Sequence, residues 1–195
     1  MNKNIIIPQS LLYFCLILLS GCGKSSTINK ELICMTSEPI SIPLQDLEEY
    51  SQDRNNIKYD KVLNGCKIVN YVDSKSCSIC YMKSIYKWDD FIYVNEETKN
   101  VEYFFIIDVR GQNIDELKNA LDKIFFSQNI YFDTNGIFIS KNKHISDNQL
   151  YHTFLLDKNN NIVLVGNPIN NQEMGKLYIT TINNMCENNG LYIPE

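Results

Sequence analysis

The chain has 195 residues, 44% hydrophobic and 21% charged, with a formal net charge of −5. That length suits one domain plus an extension, and the composition is that of a folded chain rather than a disordered one. The negative balance gives no electrostatic footprint for nucleic acid or for an anionic lipid surface.

The opening stretch, "MNKNIIIPQSLLYFCLILLSGCGKSS", has one early lysine, an apolar run from Leu11 to Leu19, and then small residues. This pattern reads as a signal peptide whose core is too short to span a bilayer as a stable helix. Its end, "LSGC" from Leu19 to Cys22, resembles the bacterial lipobox. That resemblance implies cleavage before Cys22 and a diacylglycerol group on its sulfur. The competing reading is an ordinary secretory signal with a chance cysteine. Residues 1–21 are therefore expected to be a lipoprotein signal peptide and residues 22–37 a polar, lipid-anchored tether. The body, 38–195, is expected in the bacterial cell envelope, facing the periplasm.

Within the body, "EPISIPLQDLEEY" (38–50) carries prolines and a short strand-like alternation, and "SQDRNNIKYD" is a polar connection. "CKIVNYV" (66–72) has the β-branched and aromatic content of a buried strand. "SKSC" interrupts it. From Ser78 the apolar spacing turns helical, with Tyr81, Ile85, Trp88 and Phe91 or Ile92 on one stripe. "VEYFFIIDV" (101–109) is a second buried strand. A helix over 113–126 follows, with Asn113 and Glu116 at capping-box spacing and Leu117, Leu121, Ile124 and Phe125 as its apolar stripe. "IYFD" (130–133) is strand-like, and the next stretch, to Leu150, reads as an irregular connection. "HTFLLD" (152–157) and "IVLVGNP" (162–168), joined by "KNNN", form a hairpin. A last helix begins near Asn170 and Glu173, with Met174, Leu177, Tyr178, Thr181, Ile182 and Met185 on its stripe.

Seven cysteines punctuate this layout. Cys15 lies in the signal and Cys22 at the lipobox, leaving Cys34, Cys66, Cys77, Cys80 and Cys186. Only Cys77 and Cys80 are close in sequence. The other three are scattered, which suits small core or tether residues, and a Cys34–Cys186 bridge between the two ends is one possibility. A CxxC between a strand and a helix can be a redox pair, an inert disulfide, or half of a zinc site. Zinc wants about four ligands. There is no second CxxC, and His144 and His152 are the only histidines. No Ser-His-Asp arrangement, phosphate loop or paired-carboxylate motif stands out. Trp88 lies on the apolar stripe and reads as core.

The order strand, CxxC, helix, strand, helix, strand, hairpin, helix resembles the thioredoxin-like superfamily, in its membrane-anchored TlpA/ResA or redoxin-type branch. "IVNYVDSKSCSIC" is similar to that branch's strand and active-site turn, and "HTFLLDKNNNIVLVG" to its "TFLID" strand, turn and next strand. The resemblance covers about residues 60 to 187. It implies an α/β domain with a central mixed sheet flanked by helices. It also implies thiol–disulfide exchange with protein thiols or disulfides, Cys77 attacking and Cys80 resolving, with no cofactor and no metal. Tyr151, His152 and Thr153 are then the expected neighbours of the cysteines. Where the family has a cis-proline before the threonine, this chain has His152, so that loop is expected to be trans or reshaped. The missing proline favours a rival function, a redox-inactive module of the same fold that binds a partner. A thiol-dependent peroxide reductase is a further rival, with no Thr/Pro-rich motif before Cys77 to support it.

Overall fold

A computed structural model of the chain describes residues 22–51, 65–95 and 101–194. The expected signal peptide, 1–21, lies outside the described residues, as does most of the polar connection after Tyr50. The segment 22–37, expected as a tether, contains helix α1 (Cys22–Met35), and Met35 is buried in the body's core.

The arm 38–50 carries a 3-10 turn at Leu44–Asp46 and a short strand, β1 (Glu48–Tyr50). Next come β2 (Cys66–Val72), α2 (Ser78–Met82), α3 (Lys87–Asn95), β3 (Val101–Asp108), α4 (Ile114–Leu121) and β4 (Ile130–Asp133). The chain ends with α5 (Ile137–Lys141), β5 (Thr153–Leu156), β6 (Ile162–Val165) and α6 (Gln172–Glu187). The strands form one six-stranded sheet in the order β1-β4-β3-β2-β5-β6. β2, β3 and β4 run parallel, while β1 pairs antiparallel with β4 and β5 pairs antiparallel with β2. β6 returns antiparallel to β5. A mixed sheet with a CxxC turn between its first two parallel strands and a closing hairpin and helix is a thioredoxin-like α/β fold.

Strand alternation divides the core into two layers. Cys66, Ile68 and Val72 of β2 and Phe105 and Ile107 of β3 face one side, where Trp88, Leu117, Tyr178, Ile182 and Met185 cover them. Val69, Tyr71, Phe104 and Ile106 face the other, under Met35, Ile40 and Phe138. Burial on both faces explains why these strands read as continuous apolar runs.

Four expectations need correction. The helix expected to run on from Ser78 is two pieces. Between them the amides of Ser84, Ile85, Lys87 and Trp88 bond three residues back, to Tyr81, Met82, Ser84 and Ile85. This is 3-10 spacing, which tightens the turn and still aims Ile85 and Trp88 inward. Helix α4 stops at Leu121, so Phe125 stands 82% exposed and Phe126 takes its place in the core, edge-on to Phe105 at 5.0 Å. The connection after β4 holds α5, whose first amides, those of Ile137 and Phe138, donate to the carboxylate of Asp133. Finally, Asn171 rather than Asn170 caps α6, accepting from the amides of Glu173 and Met174, and Leu177 is largely exposed.

The hairpin and the α4 cap agree with the sequence reading. Asp157 accepts from the amides of Asn159 and Asn161, and Asn160 adopts φ 66°. Asn113 accepts from the amides of Asp115 and Glu116. No helix among the described residues is long and apolar enough to cross a membrane.

Candidate active site

The cysteine turn is built by the residues that follow β2. Asp73 accepts a hydrogen bond from the Ser76 hydroxyl at 2.6 Å, and the Ser76 amide donates to the Asp73 carbonyl at 3.1 Å. This local side-chain-to-backbone closure ends the strand and swings the chain outward. Cys77 follows as the N-cap of α2, with extended backbone angles, and its carbonyl accepts the first helical bond from the Tyr81 amide.

Cys77 and Cys80 are joined by a disulfide, with Cα atoms 5.2 Å apart. Both residues are exposed, whereas Ser78 between them is buried. The Cys80 amide points at the Cys77 sulfur at 3.3 Å. On reduction that N–H favours the thiolate of Cys77 over its thiol, because it stabilises the charged form. Five residues of helix add only a weak macrodipole, so the single N–H matters more than the helix behind it. Lys75, also exposed, sits on the turn.

The expected neighbours come from the loop before β5. Gln149 donates to both oxygens of Asp73 at 3.3 Å, which ties that loop to the cysteine turn. The Tyr71 amide donates to the His152 carbonyl at 2.9 Å, extending the β2–β5 pairing to the edge of the turn. His152 is buried. Its Nε2 donates to the Ser146 carbonyl at 2.9 Å, and its ring packs on Tyr71 with centroids 5.2 Å apart. One imidazole nitrogen is therefore committed to its own loop. Thr153 is buried and accepts from the Asn70 amide group at 2.6 Å. Tyr151 is half-buried and packs into the opposite core layer. Among the described residues no peptide bond is cis, so the Tyr151–His152–Thr153 stretch is trans.

Behind the turn lies a buried polar network that the sequence did not reveal. Asp108, fully buried, is bridged by the Arg110 guanidinium at 2.6 Å. The Tyr71 hydroxyl donates to the same carboxylate at 3.3 Å. Burial, and then the negative charge of Asp108, push the Tyr71 phenol well above its ordinary range. Tyr71 thus stays a neutral donor and fixes the ring against which His152 rests.

Asp73 and Ser76 were missed as site residues, although "DSKS" carries the signal: an aspartate with a serine three residues on, directly after a strand. Gln149 left no comparable trace, because its partner Asp73 is remote in sequence, and neither did the Tyr71–Asp108 contact. Of the remaining cysteines, Cys34 is exposed and Cys66 buried, and Cys186 is half-buried. Cys186 lies against Cys66, not against Cys34 as the terminal bridge would need. Among the described residues no group of three or more His, Cys, Asp or Glu side chains is placed to hold a metal ion.

The sequence matches no protein-family model and no curated protein. Solved structures give distant likenesses. One is a candidate protein disulfide isomerase from Bacteroides thetaiotaomicron, 14% identical, with a TM-score of 0.47 over 64% of this chain and 75% of that one. Another is a candidate thiol:disulfide interchange protein DsbE from Chlorobium tepidum, also 14% identical, with a TM-score of 0.47 over 63% and 83%. A third is an uncharacterized thioredoxin-like protein from Porphyromonas gingivalis, 14% identical, with a TM-score of 0.44 over 64% and 77%. The fold assignment rests on this chain's own strand order.

Proposed function

We propose that the chain is a thiol–disulfide exchange protein of the bacterial cell envelope, held at the membrane through a lipidated Cys22, with Cys77 and Cys80 as its redox pair. One observation carries this reading: the Cys77–Cys80 disulfide stands exposed at the end of a central parallel strand, with a backbone N–H aimed at the Cys77 sulfur. A structural disulfide is more usually sheltered, whereas an exposed one can be reached by a partner's thiolate.

The chemistry runs through one mixed disulfide in either direction. In the reducing direction the Cys77 thiolate attacks a sulfur of a protein disulfide. It forms a bond to that sulfur and releases the other as a thiolate. Cys80, deprotonated, then attacks the Cys77 sulfur, closes the bridge and expels the second partner thiolate. The partner gains two electrons and the pair loses two. In the oxidising direction each step reverses. The reduction potential of the pair against its partners sets the direction. Protein thiols or disulfides are the partners this scheme requires, and it requires no cofactor.

Placement in the envelope rests on the apolar run from Leu11 to Leu19 and the lipobox-like "LSGC". It gives the pair an oxidising compartment to work in. Replacing the resolving cysteine tests the exchange reading directly. Cys80→Ser should accumulate partner proteins covalently linked through Cys77, visible as reducible adducts on a non-reducing gel. Cys77→Ser/Cys80→Ser should show none. If Cys80→Ser traps nothing while the double variant keeps the protein's cellular role, the chain is a redox-inactive binding module instead.

A further inference from the structure

Cys66 opens β2 and faces the same core layer as Ile68 and Val72. Cys186 lies in the last turn of α6, beside Met185, which is buried in that layer. Helix α6 packs on β2, so the two cysteines meet where the helix ends over the start of the strand. There Cys186 packs against the buried layer that holds Cys66, and the two thiols are neighbours. They are not joined by a disulfide. Residues 120 apart in sequence are thus brought side by side at one end of the sheet.

We propose that Cys66 and Cys186 are a second dithiol–disulfide couple, a covalent clasp that closes under oxidising conditions and fastens the end of α6 to the start of β2. The couple is separate from Cys77 and Cys80. Those lie beyond the opposite end of β2, and seven strand residues at about 3.3 Å each keep the two sites roughly 20 Å apart. The two pairs cannot exchange disulfides within one molecule.

The two thiols differ in a way that orders the steps. Burial, followed by the neighbouring Cys186, pushes the Cys66 thiol up to about 12. Cys186 is only half-buried; burial raises its thiol, the neighbouring Cys66 lowers it and the Glu187 charge raises it, leaving it above its ordinary range but more accessible than Cys66. Cys186 is therefore the entry thiol. Its thiolate attacks a low-molecular-weight disulfide, bonds to one sulfur and releases the other half as a thiolate. Cys66 then loses its proton and attacks the Cys186 sulfur, forming the Cys66–Cys186 bond and expelling the second small thiolate. Two protein thiols are oxidised and one small disulfide is reduced to two thiols. Because Cys66 must ionise, the closing step accelerates as pH rises.

The test uses the full chain carrying Cys77→Ser and Cys80→Ser, with oxidised glutathione as the probe. After incubation, remaining thiols are alkylated in urea and the protein is digested with trypsin without reduction. The expected product is a cross-linked pair of peptides, 62–67 and 177–195, that separates on reduction. Its rate of appearance should climb about tenfold per pH unit near neutrality. The urea midpoint of the oxidised chain should exceed that of the reduced chain, and Cys186→Ala should abolish the difference. Cys66 and Cys186 recovered as separate alkylated thiols would overturn the proposal. So would a lasting glutathione adduct on Cys186 beside an alkylated Cys66, a Cys34–Cys186 link, or a cross-link with no shift in midpoint. None of these outcomes bears on exchange at Cys77, which this chain lacks.

Discussion

Asp73 does more for the candidate site than either cysteine's immediate neighbours in sequence. It closes the turn through Ser76 and holds the loop before β5 through Gln149. Burial alone would raise its carboxyl. The Ser76 and Gln149 hydrogen bonds, with His152 nearby, outweigh that and hold it below the usual carboxylate range. A carboxylate depressed in the folded state contributes stability above its unfolded value of about 3.9, and that contribution is lost as pH falls through the folded pKa. Acid should therefore destabilise the wild-type chain slightly more than Asp73→Asn, by less than about 1 kcal/mol because solvent screens a partly exposed group. Urea midpoints compared at pH 6 and pH 3 would show it, and parallel slopes would refute it. His152 offers a second test. Its amide donates to the Gln149 carbonyl, and its Nε2 donates to Ser146. His152→Pro removes both donors and should cost about 2 kcal/mol in urea unfolding. A neutral or stabilising result would mean that the loop rearranges around proline.

Several elements with local causes were legible in the sequence, whereas those that depend on a subtle change of spacing or on remote contacts were not. The bounds of β2 and β4 agree with the apolar runs 66–72 and 130–133, because both strands are buried on both faces and carry no polar alternation to blur their ends. The Asn113 cap and the Asp157–Asn161 turn depend on residues within four positions of each other, so they too could be read. The break between α2 and α3 could not. Ser84 turns its hydroxyl to the Tyr81 carbonyl at 2.8 Å, and the 3-10 spacing preserves the inward stripe that suggested one helix. Helix α5 was invisible because the carboxylate that receives its first amides, Asp133, belongs to a strand, and because Asn142 secures it by bonding Ser41, far back in the arm. Trp88 shows how much rests on that interrupted helix. It is fully buried and meets Phe105 edge-on at 5.2 Å and Phe91 edge-on at 5.9 Å. Trp88→Ala should lose about 3–5 kcal/mol of unfolding free energy. A loss below about 1 kcal/mol would mean that α3 does not anchor this layer.

At the level of the whole molecule, the sheet order separates two regions with different chemistry. One end of β2 carries an exposed disulfide on a turn braced by Asp73, Gln149 and Tyr71. The other carries two buried or half-buried thiols beneath the end of α6. That the sheet is mixed could be anticipated, because strands alternating with helices imply parallel pairing and the hairpin adds antiparallel strands. The meeting of Cys66 with Cys186 could not, because only the packing of α6 across β2 brings them together. The central claim concerns the first region. Equilibrating the chain in defined thiol–disulfide buffers, then alkylating it and following the Cys77 and Cys80 peptide by mass spectrometry, tests it most directly. The account predicts a reversible two-electron transition with a midpoint between about −270 and −120 mV. A pair that stays bonded through strongly reducing buffers, or never forms its disulfide, would contradict it.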